Sequence, residues 1–222
     1  MPSDATTRDG DGLAKVDNRA PDPDTLAPHL LRRRNRIVEA AIELLEDGEY
    51  DEIQIRDVAH HAGVALGTLY RYFTSKEHLY AAALLEWARS FELQSIAGRP
   101  SQGESDQDRI RALLARAVKA FERWPQMLRA EIAIETSTDP NARAIFDEFS
   151  RRHISVMTGA LVDTPEDTAE AIVGMTNNVM ASQLRAWALG RTTIGDVRRA
   201  LDVAVDLVYS EPPDAGASSR AS

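Results

Sequence analysis

The chain has 222 residues, 43% hydrophobic and 27% charged, enough for one or two compact domains with a true core. It contains no cysteine, which excludes a disulfide framework, a zinc–thiolate site and a thiol nucleophile, and accords with a cytoplasmic location. A net charge of −9 excludes overall attraction to phosphate, so any nucleic-acid binding must rest on a local patch such as the basic knot LRRRNR at 31–36.

Residues 1–28 mix Asp, Gly, Pro, Thr and Ser and offer little to bury; they read as a disordered tail, as do residues 211–222. The first stretch has no apolar run and does not read as a secretory signal, and no apolar stretch is long enough to span a bilayer, so no membrane partner is expected. Between the tails the periodicity is helical. A first helix is expected from Leu30 to Asp47, with Ile37, Ala40, Ala41, Leu44 and Leu45 on one face and Gly48 as a left-handed stop. A second runs from Ile53 to Ala62, Gly63 breaks it, and a third runs from Val64 to Phe73. A fourth opens with a capping box of Thr74 and Glu77 and continues through Leu79, Ala83 and Trp87 until AGRPSQGES marks a linker.

Further helices are expected at Asp108–Arg123, from Pro125, at Asn141–Val162, from Thr164-Pro165-Glu166 to Leu189, and from Thr193 or Asp196 to Tyr209. The fold class is all-α, with about nine helices. A DNA-binding unit is expected at 29–75 and a larger helical unit for effector binding and dimerisation at 76–210.

The stretch IRDVAHHAGVALGTLYRYF, 55–73, has the pattern of a helix-turn-helix. Ala59 is small where the two helices touch, Gly63 tolerates positive φ, and Val58, Ala62, Val64 and Leu69 clamp both helices to the rest. The clamp leaves Leu66, Gly67, Thr68, Tyr70, Arg71 and Tyr72 on the free face. Gly67 permits close backbone approach. Thr68 and Tyr70 can donate to phosphate oxygens, and Arg71 can serve phosphate or base. Lys76 adds charge beside the next helix N-terminus, and Arg56 sits within reach of the same groove. The competing reading makes Tyr70, Tyr72 and Phe73 core residues, most of all Phe73.

GVALGTLYRYFTSKEHLY resembles the signature of TetR-type transcriptional regulators, over about residues 30–80. The resemblance implies an all-helical homodimer that contacts double-stranded DNA through Arg56, Leu66, Gly67, Thr68, Tyr70, Arg71, Tyr72 and Lys76. It also implies a small-molecule pocket in the C-terminal half and repression relieved by an effector. Gln54 departs from the Thr or Ser usual as the cap of the second helix. VALGTLYRYF together with QLRAWALGRTTIGDVRRALDVAVDLV is similar to the KstR-like repressors of steroid catabolism, which implies a bulky apolar effector, such as a steroid- or lipid-derived CoA thioester.

Pocket candidates are Trp124, Met127, Phe149, Met157, Asn177 and Met180; the alternative for each is plain core, and for the Asn177-Asn178 pair one exposed and one bonded to a neighbouring helix. Ile172, Met175, Val179, Trp187, Val197, Leu201, Val205 and Val208 give the last two helices more apolar surface than one bundle needs, so dimerisation is expected there. Two other classes compete. No catalytic residues, P-loop or cofactor motif mark an enzyme, and Asp57 with His61 lacks a third metal ligand. A helical interaction protein without DNA binding would leave the free face of the third helix unexplained.

Overall fold

The computed structural model describes residues 20–96 and 104–210. Among them are a 3-10 turn, Pro23–Thr25, and nine helices, with no strand: α1 Pro28–Asp47, α2 Ile55–His61, α3 Leu66–Tyr70, α4 Lys76–Ile96, α5 Asp106–Arg123, α6 Pro125–Glu135, α7 Pro140–Gly159, α8 Glu166–Ala188 and α9 Ile194–Tyr209. The tails expected at 1–19 and 211–222, and most of the expected linker, lie outside the described residues. Residues 20–28 depart from the tail reading. The turn runs straight into α1, and the Ala20 N–H donates to Asn141 Oδ1 on α7 at 3.3 Å.

Local chemistry sets most helix ends. Pro occupies the first turn of α1, α6 and α7, where a missing N–H costs nothing. Ser105 caps α5, and Thr193 and Asp196 form a reciprocal capping box on α9. The box expected from Thr74 and Glu77 is shifted by one residue: Ser75 Oγ accepts the His78 N–H at 3.0 Å and caps α4, freeing Thr74 for other work. Gly48 also differs from expectation. Its φ is −119°, and glycine suits the site because a Cβ there would lie 2.9 Å from the Leu44 carbonyl oxygen.

α4 is the central element. It packs against α1 on one side and α6 and α7 on the other. Its residues His78 to Leu85 are all buried, as a helix covered on every side requires. α9 lies against α5 and α8. That packing buries Ile172, Val197, Leu201 and Val205 inside the protomer, so these four, expected at the dimer surface, serve the protomer's own core instead. Met175, Val203 and Leu207 on the same two helices are exposed.

Asp106, at the start of α5, is buried and fastens the turn that follows α7. It accepts from Val162 N at 3.1 Å, Asp163 N at 2.9 Å and Thr164 Oγ1 at 2.7 Å, and it pairs with Arg109. Burial alone would raise its pKa; the bonds from Thr164 and Asp163 outweigh that and hold it below the usual carboxylate range.

Candidate nucleic-acid interface and internal cavities

α2 and α3 meet over a tight turn. Gly63 has φ of 62°, and the Val64 N–H donates to the Ala59 carbonyl at 2.9 Å. Val58, Ala59, Ala62 and Leu69 are buried beneath it. The reading helix α3 spans only 66–70, shorter than the expected 64–73. Leu66 is 42% exposed and Tyr70 52%; Gly67 and Arg71 are exposed, and Thr68 is half-buried beside them. Arg56 projects from α2 with its side chain 70% exposed. Gly67 is informative because the fold does not need it. Its φ is not positive, and a Cβ would meet nothing within 4 Å. A helical glycine costs about 1 kcal/mol against alanine, so nothing in the packing of the protomer accounts for it.

Two of the expected contact residues are engaged within the protomer. Tyr72 is 7% exposed and turns into the core beside Phe73, because α3 has already ended and the chain no longer follows its periodicity. Lys76 folds back: its Nζ donates to the Tyr50 carbonyl and sits 4.1 Å from the centre of the Tyr50 ring. In the basic knot, Arg32, Arg33 and Arg36 are exposed, whereas Arg34 is half-buried over the Phe73 ring at 5.2 Å. Gln54 is supported from the other direction, its N–H donating to Asp57 Oδ2 at 3.0 Å. His61 Nε2 lies 2.7 Å from Glu43 Oε2, and no cluster of three metal-ligating side chains exists among the described residues. No helix among the described residues is long and apolar enough to cross a membrane.

Two adjoining cavities occupy the C-terminal half. One, about 250 Å³, lies between α6, α7 and α8, with Glu131, Phe149, Asn177, Met180 and Leu184 in its wall. The other, about 110 Å³, lies between α4, α5 and α7, with Trp87, Leu113 and Met157 in its wall. Phe121, Phe149 and His153 line both and form the partition. Of the six expected pocket residues, Phe149, Met157, Asn177 and Met180 line these cavities. Met127 is fully buried and lines neither cavity, and Trp124, at the junction of α5 and α6, lines a surface recess beside Pro125 and Gln126. A polar recess of about 560 Å³, edged by Arg34, Glu39, His78, Arg89 and Glu148, separates residues 20–24 from α1, α4 and α7.

Sequence reasoning missed Glu131. Its Oε2 is sealed from solvent without a hydrogen-bond partner, and burial pushes its carboxyl up to about 7, helped by the charge of Glu135 and opposed by Arg185. The available signal was an acid one turn before Glu135 on the otherwise apolar face of Leu128 and Ile132. Asp139 caps α7, accepting the Asn141 N–H at 2.8 Å. It also bolts α7 to α4: Thr74 Oγ1 and Ser75 Oγ donate to its Oδ2 at 2.7 and 2.6 Å, and Asn141 Nδ2 donates to Thr74 Oγ1 at 3.1 Å. Despite partial burial, the bonds from Ser75 and Thr74 bring its pKa down to about 2. His78 Nδ1 accepts the Thr74 N–H at 3.1 Å, and burial, with Arg34 nearby and Asp139 opposing, lowers its pKa to about 4.

Residues 37–83 match the family model described as bacterial regulatory proteins, tetR family, and residues 103–208 match a tetracyclin repressor-like C-terminal domain. The chain is 33% identical over 180 residues to the HTH-type transcriptional repressor KstR of Rhodococcus jostii strain RHA1, covering 81% of this chain and 84% of that protein. The chain belongs to the TetR family. A crystal structure of a TetR regulator from Rhodococcus sp. RHA1 superposes with a TM-score of 0.65 at 30% identity, over 80% of this chain and 94% of that one. FadR of Thermus thermophilus, a TetR-family repressor crystallised with lauroyl-CoA, has the same fold, with a TM-score of 0.65 at 20% identity over 82% of this chain and 99% of that one. As a TetR-family member the protein is a helix-turn-helix transcriptional regulator, and its two matched segments flank residues 84–102.

Proposed function

We propose that the protein is a ligand-responsive repressor. A homodimer binds a palindromic operator through the free side of α3 and leaves it when a bulky apolar effector fills the two C-terminal cavities. The division of α3 carries this reading: Leu69 is sealed beneath, while Leu66, Gly67, Tyr70 and Arg71 have no task within the protomer. That set offers a thin backbone edge, a hydroxyl and a cation, which suits phosphate and base edges. Arg56 and the exposed arginines of the 31–36 knot add the local positive charge that the acidic chain otherwise lacks.

The dimer uses the outer faces of α8 and α9, where Met175, Val203 and Leu207 stand exposed on adjacent helices. A two-fold axis there sets the two α3 helices whole DNA turns apart, in multiples of about 34 Å. The similarity to KstR runs through the C-terminal half and favours a lipid- or steroid-derived CoA thioester as effector. The bound lauroyl-CoA of the Thermus protein lends weight to that class.

Release follows from the partition. A ligand larger than either cavity must move Phe149 and His153, both on α7. The first turn of α7 is bolted through Asp139 to Thr74 and Ser75, which directly follow the helix-turn-helix. Displacing α7 therefore drags the reading head, and a ligand preferring the displaced state weakens DNA binding by linkage. The test is selection of an operator from random duplex DNA, then a gel shift with and without long-chain and steroid acyl-CoA. Retrieval of a palindrome released by one of these supports the proposal. Ligand-insensitive binding removes the effector half, and failure to select any DNA removes the whole.

A further inference from the structure

Two residues in the wall of the larger cavity carry polar oxygens that the protomer leaves unused. Glu131 Oε2, from α6, and Asn177 Oδ1, from α8, are sealed from solvent and accept no hydrogen bond. The rest of the wall is chiefly apolar, with Phe121, Leu128, Phe149, Met180 and Leu184 among its members. The nearest guanidinium does not answer Glu131, because Arg185 is engaged with Glu135. Each such orphan costs about 1–3 kcal/mol, and a leucine at either position would avoid the cost. The two oxygens belong to different helices, yet both residues line one cavity, so a small side-chain rotation brings each oxygen to it.

We propose that Glu131 and Asn177 form a polar subsite that receives a hydroxyl group carried on the apolar body of the effector. This rests on the reading of the cavity as the effector site and specifies the chemistry of what it takes. A hydroxyl has one donor and two acceptor sites. It donates to Asn177 Oδ1 and accepts from the protonated carboxyl of Glu131, whose burial favours the neutral acid. An ether accepts only and leaves Asn177 unanswered. A carboxylate brings a charge against two oxygens and is the worst fit of the three. The subsite fixes the ligand's orientation by discrimination against groups lacking a proton, as buried polar pairs do in other binding pockets.

Decanol, decyl methyl ether and decanoate test this on the full chain by isothermal calorimetry or displacement of a fluorescent probe. Without a subsite the ether, being less polar, would bind at least as well as the alcohol. We expect decanol to bind about ten-fold more tightly than the ether, with decanoate weakest. Asn177→Leu should bring the alcohol-to-ether ratio to about one while keeping the affinity for the ether. Glu131→Gln, which retains a donor and an acceptor, should preserve the preference, and Glu131→Leu should lose it. Equal binding of alcohol and ether by the unsubstituted protein overturns the subsite and leaves the effector cavity standing. So does an Asn177→Leu protein that keeps the ten-fold ratio. Binding of none of the three overturns the cavity reading and the subsite together. If the leucine variants do not fold, the ratio in the unsubstituted protein decides alone.

Discussion

The outer side of α3 and the inner wall of the α6–α8 cavity both hold groups that the protomer leaves idle, and they do so in opposite ways. On α3 the idle groups are in water, so they cost the fold little beyond the glycine at 67. In the cavity they are dry, and every unpaired oxygen is a standing cost. A surface can keep its binding groups ready at small expense. A ligand that satisfied the cavity's unmatched polar atoms would also stabilise the fold.

The sharpest way to break this comparison is at α3. Thr68→Ala with Tyr70→Ala should lower operator affinity by about a hundred-fold, measured by fluorescence anisotropy, because phosphate and base contacts of this kind are worth about 1–3 kcal/mol each. Thermal unfolding and dimer mass should hardly change. A parallel loss of stability would mean that the face is structural. Next in size is the dimer. Val203→Glu with Leu207→Glu sets like charges across the proposed two-fold, and sedimentation should register monomers with operator binding down by at least about ten-fold.

Asp139→Asn probes the connection between the two regions. Effector affinity should stay within about two-fold, while the effector's power to weaken operator binding falls by about ten-fold, or about 1.4 kcal/mol of coupling. Unaltered release would remove Asp139 from the pathway. The same junction has a pH signature. His78 is neutral when folded, with its pKa lowered to about 4 from an ordinary 6.5, chiefly by burial. Between those values the unfolded chain binds the extra proton, so the His78 contribution to stability is fully present above pH 6.5 and is lost as pH falls toward 4, while Glu131, raised to about 7, contributes the opposite slope over much of the same span. Asp139, ionised down to about 2, adds a loss only below the normal carboxylate range. Urea titrations across that span, comparing the unsubstituted protein with His78→Gln, isolate the His78 share: the variant should lose less stability as pH falls. The smallest effect is the most pointed. Gly67→Ala should raise folding stability by about 0.5–1 kcal/mol yet weaken operator binding several-fold. Gains in both would leave the glycine unexplained.

Legibility in the sequence divides along the same line. The turn at Gly63 and the sealing of Leu69 depend on residues a few positions apart, and local pattern was sufficient. Tyr72 was misread because a helix that ends at Tyr70 rotates the next ring inward, and two residues of register decide which face it takes. The contact of Lys76 with Tyr50 was not legible because Tyr50 lies in a loop before α2. The cavity is harder still. Phe149 and Asn177 looked no different from Met127 and Trp124 in sequence; their distinction arises only from how α5, α6, α7 and α8 lean together. Half of the apolar surplus assigned to dimerisation was consumed by the packing of α8 and α9 on each other and of α9 on α5, which periodicity does not reveal.

The carboxylate of Asp106 has a mechanical consequence. By gripping Val162, Asp163 and Thr164 it anchors the C-terminal foot of α7, whereas the head of that helix is held by side-chain hydroxyls at Thr74 and Ser75. A rod of 20 residues is about 30 Å long, and swinging it about a fixed foot by roughly 4° carries the head through about 2 Å. A modest wedge near mid-length thus becomes an arc of atomic size at the reading head, and the gain is set by where the pivot sits.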